Sequence, residues 1–266
     1  MSSSDTSQDV TPMEAEFDTV AAWTEQAVAE LGRGYAIPAA CRGSGSPPEL
    51  AWLAEGLGLE DDAPFLDAGA GLGGPAAWLR GYLHDRWDGT PLLAEPMTHA
   101  AAASRRLFDL PAVAAWSQHL PLPDGSMAAA WLLGVLCTTS DKREVLAEVH
   151  RVLRPGGRLG LLVLVADREL IESPEGNDFP TRSSLHADLA ATGFRVDDQV
   201  DGADLPGAPE DWVARADAVD EIVRRDHSDH PEWRQAHAQE DVLGRVMERG
   251  DVVTVLLHAT AVADGG

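Results

Sequence analysis

Phe65-Leu66-Asp67-Ala68-Gly69-Ala70-Gly71-Leu72-Gly73-Gly74 is an apolar run that ends in an acid and then breaks into a glycine-dense turn. The pattern predicts a buried strand over 64–69 and a helix from about 73 to 84. A strand delivering a glycine turn to a helix start brings bare backbone N–H groups close to an adenosine-containing cofactor. Downstream, apolar runs at 91–95, 112–116, 128–134, 158–166 and 194–200 read as strands. Helical stretches at 98–108, 142–153 and 183–192 fall between most of them. Strands separated by helices require right-handed crossovers, so the expected fold is a doubly wound, Rossmann-like α/β sheet, mostly parallel and covered on both faces.

The flanks divide differently. Residues 1–12 are Ser-rich and acidic and are expected to be disordered, whereas 13–60 form an N-terminal helical extension. In that extension Pro47-Pro48 suits a first helical turn and Gly56 a last one. The core is expected to span 61–201 and 251–263, interrupted by a helical cap insertion over 202–250. Trp212, Ala216, Val219 and Ile222 carry helical spacing in that insertion, and Val252–Ala259 reads as the last strand.

Charge and composition narrow the partners. A formal charge of −24 repels a phosphate backbone, so nucleic acid is excluded as an expected partner. The N-terminus has neither a basic n-region nor an apolar h-region, and no apolar run reaches membrane-spanning length, so a cytoplasmic protein without membrane attachment is expected. Cys41 and Cys137 stand far apart and are read as free thiols. Asp226-His227-Ser228-Asp229-His230 precedes Pro231 in a polar break and is read as loop and cap chemistry, with no metal site expected.

Gly69-Ala70-Gly71-Leu72-Gly73-Gly74 satisfies G-x-G-x-x-G, and Glu95 ends the next strand where a ribose-binding acid belongs. On these residues alone a nicotinamide oxidoreductase is open. Three features favour S-adenosylmethionine instead. Asp67 places a carboxylate two residues before the first loop glycine, where it can engage an ammonium group. Leu120-Pro121-Leu122-Pro123-Asp124-Gly125-Ser126 precedes the fourth strand, and Leu153-Arg154-Pro155-Gly156-Gly157 precedes the fifth.

In this order the three motifs resemble the class I S-adenosylmethionine-dependent methyltransferases, small-molecule branch, over about residues 40–200. The resemblance implies a seven-stranded sheet with an antiparallel last strand. It also implies site roles: Asp67, Gly69, Gly71 and Gly73 around the methionyl part, Glu95 on the ribose hydroxyls, and Pro96 and Met97 against adenine. Two positions depart from the pattern. Trp116, followed by Ser117, stands where an acid usually reads the adenine amino group, and Ala128 replaces a second acid. Backbone at Trp116-Ser117 and the indole face are therefore expected to hold the base.

Ahead of the loop, Arg42 and Gly43 combine a guanidinium with flexible backbone, and Arg42 is expected to pair with the methionyl carboxylate. Gly134 and Cys137 follow the fourth strand, and Asn177 and Phe179 follow the fifth, which places them beyond strand carboxyl ends where an acceptor would sit. Methyl transfer from a sulfonium is an in-line displacement helped by positioning, so no catalytic residue is assigned. The expected substrate is a small-molecule methyl acceptor, and the alternative is a methyltransferase-like fold with a non-methylating or binding role.

Overall fold

The computed structural model describes residues 12–263. Most of the expected disordered tail, residues 1–11, lies outside the described residues, and Pro12 departs from that expectation by opening α1 (Pro12–Leu31). Then come α2 (Ala36–Ala40), α3 (Pro47–Leu57), β1 (Phe65–Ala68), α4 (Gly74–Tyr82), β2 (Leu92–Ala94), α5 (Thr98–Phe108), β3 (Ala112–Val113) and β4 (Met127–Leu133). The second half holds α6 (Lys142–Val152), β5 (Leu153–Val165), α7 (Arg182–Ala191), β6 (Phe194–Asp201), α8 (Glu210–His227), α9 (Pro231–Glu248) and β7 (Val253–Ala261).

Seven strands form one sheet in the order β3-β2-β1-β4-β5-β7-β6. β7 pairs antiparallel with both β5 and β6, and the β1–β2, β1–β4, β2–β3 and β4–β5 pairings are parallel. Period-two alternation sends the side chains of each strand to two faces. Leu66 and Ala68 of β1 with Ala130 and Leu132 of β4 pack beneath α6 and α7, while Phe65, Trp131 and Leu133 pack against α3 and α4. β1 and β4 are buried along their whole length, as central strands covered on both faces must be.

Two details, at the end of β3 and the start of β5, differ from the periodicity reading. β3 stops at Val113 rather than 116. The β3–β4 crossover has no helix, as the pattern reads; Leu120 and Leu122 pack on the core there, held by Arg151, whose guanidinium donates to both of their carbonyls at 3.0 and 2.8 Å. Leu120–Ser126 therefore has a structural role, in which Gly125 N–H donates to Arg151 O at 2.9 Å and Ser126 Oγ to Pro123 O at 2.7 Å. β5 begins at Leu153 rather than 158, pairing Leu153 with Met127 and Arg158 with Ala129, so that Arg154–Gly157 loop out between them.

α2 is an element that the Gly/Pro-containing link concealed. Ala36, Pro38, Ala39 and Ala40 are all buried in it. Its end meets α4 so closely that a Cβ on Gly74 would lie 2.5 Å from the Ala40 carbonyl carbon. The chain from Cys41 onward is thereby brought to the glycine turn. α8 packs on α1 and α2, and α9 packs on α1.

Under the far half of the sheet, His258 of β7 stacks on Trp52 of α3 with centroids 3.9 Å apart, and its Nε2 lies 3.2 Å from Leu53 O. A Cβ on Gly56 would come within 2.1 Å of this imidazole. Gly56→Ala is therefore expected to lower stability by about 1–3 kcal/mol through overpacking, in spite of alanine's better helix propensity. Urea denaturation checks this, and a variant as stable as wild type would show that the His258 ring gives way.

Candidate functional site

The glycine turn is built for close approach. Gly69, Gly71 and Gly73 all have φ between 53° and 79°, in the left-handed region that disfavours side chains. Neighbours close the space as well: a Cβ on Gly69 would lie 2.3 Å from Val135 Cγ2, and one on Gly73 would lie 2.7 Å from Leu93 Cδ2. Gly69 N–H and Ala70 N–H both donate to Ala94 O, at 2.8 and 3.2 Å, which folds the turn back over the end of β2.

Glu95 completes that fold-back. Its Oε2 accepts from Gly71 N–H at 2.7 Å and its Oε1 from Met97 N–H at 2.9 Å. The side chain thus joins the glycine turn to the start of α5. It is buried, and burial pushes its pKa up to about 7 against the lowering effect of the two N–H groups. Asp67 lies below the turn, 1% exposed, with Oδ2 lacking a hydrogen-bond partner. Burial is the main cause raising its pKa to about 7, opposed by the indole of Trp131 and reinforced by the charge of Glu95.

Trp131 is the register neighbour of Asp67 on β4 and is fully buried, and its Nε1 is also without a partner. The indole N–H lies near Asp67 without meeting it in hydrogen-bond geometry. Two buried polar groups left unpaired side by side are costly, and such a pair points to a site that a ligand completes. Trp131 escaped the sequence reading; the available signal was one large aromatic in the small-residue strand Met127-Ala128-Ala129-Ala130-Trp131.

At the α5 end, Met97, Leu72 and Ala100 form a small apolar cluster with Ala21 of α1 and Ala40 of α2, and Trp116 packs against it. Met97 and Trp116, two of the residues chosen for the nucleobase, are thus together. Pro96 and Ser117 adjoin them in the chain. On the opposite side Gly43 and Gly134 meet: a Cβ on Gly134 would lie 3.0 Å from Gly43 O. Arg42, next to Gly43, sits on the carboxylates of Asp217 (3.0 Å) and Asp220 of α8. Asp220 is driven up to about 6, chiefly by burial, in spite of that guanidinium.

The acceptor-side residues are knit together rather than open. Cys137 is 3% exposed, its Sγ donates to Gly134 O at 3.1 Å, and burial pushes its thiol pKa up, which disfavours a nucleophilic thiolate. Lys142, the sole lysine of the chain, reaches Thr139 O and Asp178 Oδ2, both at 2.6 Å. Asp178 N–H donates to Cys137 O at 2.8 Å, so this pair ties the loop after β4 to the loop after β5. Asn177 is half-buried in the second loop, and Phe179 packs on the core clusters beneath α7 and α9.

Residues 66–161 match the sequence profile of a family described as a methyltransferase domain. Among curated proteins, Methyltransferase GfsG of Streptomyces halstedii is 32% identical over 120 residues, covering 42% of this chain and 42% of that protein. The chain thus spans less than half the length of that relative. Among solved structures, the cyclase SpnF shares 21% identity with a TM-score of 0.64 over 81% of this chain and 80% of its own. Geranyl diphosphate C-methyltransferase from Streptomyces coelicolor A3(2), solved with S-adenosyl-L-homocysteine, shares 16% identity with a TM-score of 0.57 over 80% and 75% of the two chains. The chain shares the fold of these solved structures, and its segment 66–161 is similar in sequence to a methyltransferase domain.

Asp67 and Glu95 both titrate higher in the folded chain than their usual 3.8 and 4.5. Between about pH 4 and 7 the folded state holds protons that the unfolded chain has released, so stability falls as pH rises through this window and levels off above it. Asp67→Asn removes one of these groups and is expected to flatten the decline in melting temperature between pH 4.5 and 7.5. An unchanged slope would mean that Asp67 is ionised throughout.

Proposed function

We propose that this chain is a class I methyltransferase that carries out S-adenosylmethionine-dependent methyl transfer to an O, N or C atom of a small organic molecule. The observation that carries the reading is the buried, unpartnered carboxylate oxygen of Asp67 under a glycine turn that Glu95 closes. A cationic group fits there, and a neutral dinucleotide end does not explain it. When bound, S-adenosylmethionine supplies an activated methyl on a sulfonium.

The chain's own residues do the rest. Asp67 takes the cofactor's ammonium, and Gly69, Gly71 and Gly73 admit the methionyl part to the backbone. Glu95 offers its oxygens to the ribose hydroxyls. Met97, Pro96 and Trp116 with Ser117 enclose the base. Arg42 serves the carboxylate by giving up one of its two α8 acids. Gly43 and Gly134 meet between these groups, where a side chain on Gly134 would crowd the Gly43 carbonyl. Cys137, Asn177 and Phe179 border the acceptor side, and α8 and α9, within the 202–250 cap, cover it. Exclusion of water and fixed orientation are what this arrangement contributes to a displacement reaction.

A second reading has one observation in its favour: Trp116 and Ala128 replace two acids of the family pattern, and a chain of this fold is named a cyclase. A retained cofactor with no transfer is its signature. Calorimetry with S-adenosylhomocysteine, S-adenosylmethionine and NAD tests both. We expect adenosyl binding, no NAD binding, and at least about tenfold weaker adenosyl binding by Glu95→Ala, since it removes hydrogen bonds to a charged group. Arg42→Ala is expected to weaken it also. Absence of adenosyl binding would overturn the proposal, and binding without turnover across a panel of phenols, amines and enols would favour the second reading.

A further inference from the structure

α5 begins without a cap of its own. Its N-cap position is Met97, whose side chain makes no capping bond, so the first N–H groups of the helix lack a local acceptor. The acceptor comes from 81 residues upstream of His99. Asp18 of α1 places Oδ1 2.8 Å from His99 N and 3.1 Å from Ala100 N, the second and third residues of α5, and both N–H groups donate to it. Its Oδ2 lies 2.7 Å from His99 Nδ1.

The residues around Asp18 face the proposed cofactor site. Phe17 puts its ring 3.4 Å from where a Cβ on Gly71 would be, against the glycine whose N–H Glu95 holds. Ala21, one turn on, packs with Leu72, Met97 and Ala100. Farther along, Glu25 binds Arg106 of α5 (Oε2 to Nη2, 2.6 Å), Trp23 packs on Val219, Ile222 and Val223 of α8, and Glu30 binds Arg225 of α8 at 2.9 Å. α1 is thus strapped between the start of α5 and the α8 layer, directly above the glycine turn.

We infer that Asp18 is the remote N-cap of α5, and that through it α1 acts as a strap retaining the cofactor at its nucleoside end. This rests on the cofactor reading above. The logic is one of coupled order. Glu95 and Met97 lie in the residues that lead into α5, so a frayed first turn would loosen the tether on Gly71. A carboxylate cap suppresses that fraying and also suits the positive end of the helix dipole. Ions at the far end of α1 are exposed and contribute little to the tether by themselves. Asp18 is a positioning residue, acting through the helix start and not on the reacting atoms.

The experiment compares wild type, Asp18→Ala, Asp18→Asn and Glu25→Ala by S-adenosylhomocysteine calorimetry and by amide hydrogen exchange without ligand. Asp18→Ala is expected to weaken binding about fivefold to tenfold and to speed exchange at His99 and Ala100. Asp18→Asn, which caps equally well, is expected to restore both to near wild type. Glu25→Ala breaks an α1–α5 ion pair away from the helix start and is expected to leave affinity within about twofold. Should Asp18→Ala fail to fold, Asp18→Gln, too long to cap, carries the same expectations. Unchanged protection and affinity in Asp18→Ala would overturn the proposal, and so would an Asp18→Asn as impaired as Asp18→Ala or a Glu25→Ala equally impaired. If wild type bound no adenosyl compound, the cofactor reading would fall with the strap's retention role, while the exchange data would still decide the cap.

Discussion

The two hydrogen bonds accepted by Glu95 set the geometry on which the rest of the site depends. One oxygen holds Gly71 N–H and the other Met97 N–H, so a single side chain fixes the glycine turn relative to α5. Remove that bridge and the left-handed glycines lose the anchor that holds their turn over β2. The surrounding packing then explains why the turn cannot be made of anything but glycine where Val135 and Leu93 crowd it. Sequence, backbone conformation and packing agree at these positions, which is the mark of a specified rather than an incidental turn.

Burying two carboxylates in a chain that already carries −24 formal charge works against stability. Among the described residues neither Asp67 nor Glu95 has a cation beside it; Arg42, the nearest basic residue ahead of Asp67 in the sequence, is engaged by α8. Two backbone N–H groups offset part of the cost at Glu95, while the unpartnered oxygen of Asp67 leaves its own in place. Stability given up at a binding site is commonly recovered on ligand binding, because whatever binds only the folded state stabilises it. A cationic ligand would serve that purpose here, and an anionic one would aggravate the imbalance.

The parallel core was legible because its signals are local. Short apolar runs, a glycine turn after an acid and helix starts at proline are all signals within a few residues, and β1, α4, α5 and β4 fall where the pattern puts them. What was not legible depends on distance in the chain. Asp18 and His99, Asp67 and Trp131, Arg42 and Asp220, Lys142 and Asp178 are pairs between elements that no spacing rule connects. α2 was hidden for another reason: five residues containing a proline carry too short a period to register as a helix, and only packing against α4 makes it one. Arg154–Gly157 reads as a turn before the strand, yet it is a bulge inside β5, because Leu153 already pairs with Met127.

The nucleobase end differs in kind from the methionyl end, and the difference bears on selectivity. Leu72, Met97, Ala100 and the flank of Trp116 form an apolar slot, and the Asp18 carboxylate beside it is spent on the first N–H groups of α5. Apolar contact supplies affinity in proportion to area but discriminates weakly between ligands of similar shape, whereas buried polar groups reject any ligand that leaves them unpaired. On the proposed reading, discrimination among adenosine compounds therefore falls to Asp67 and Glu95. Adenosine itself could fill the slot and the ribose site, but it would leave the Asp67 oxygen as it is, buried and unpartnered. A ligand carrying an amino group at the right reach removes that penalty, so the acid ahead of the glycine turn, more than the turn itself, selects which adenosine compound the chain holds.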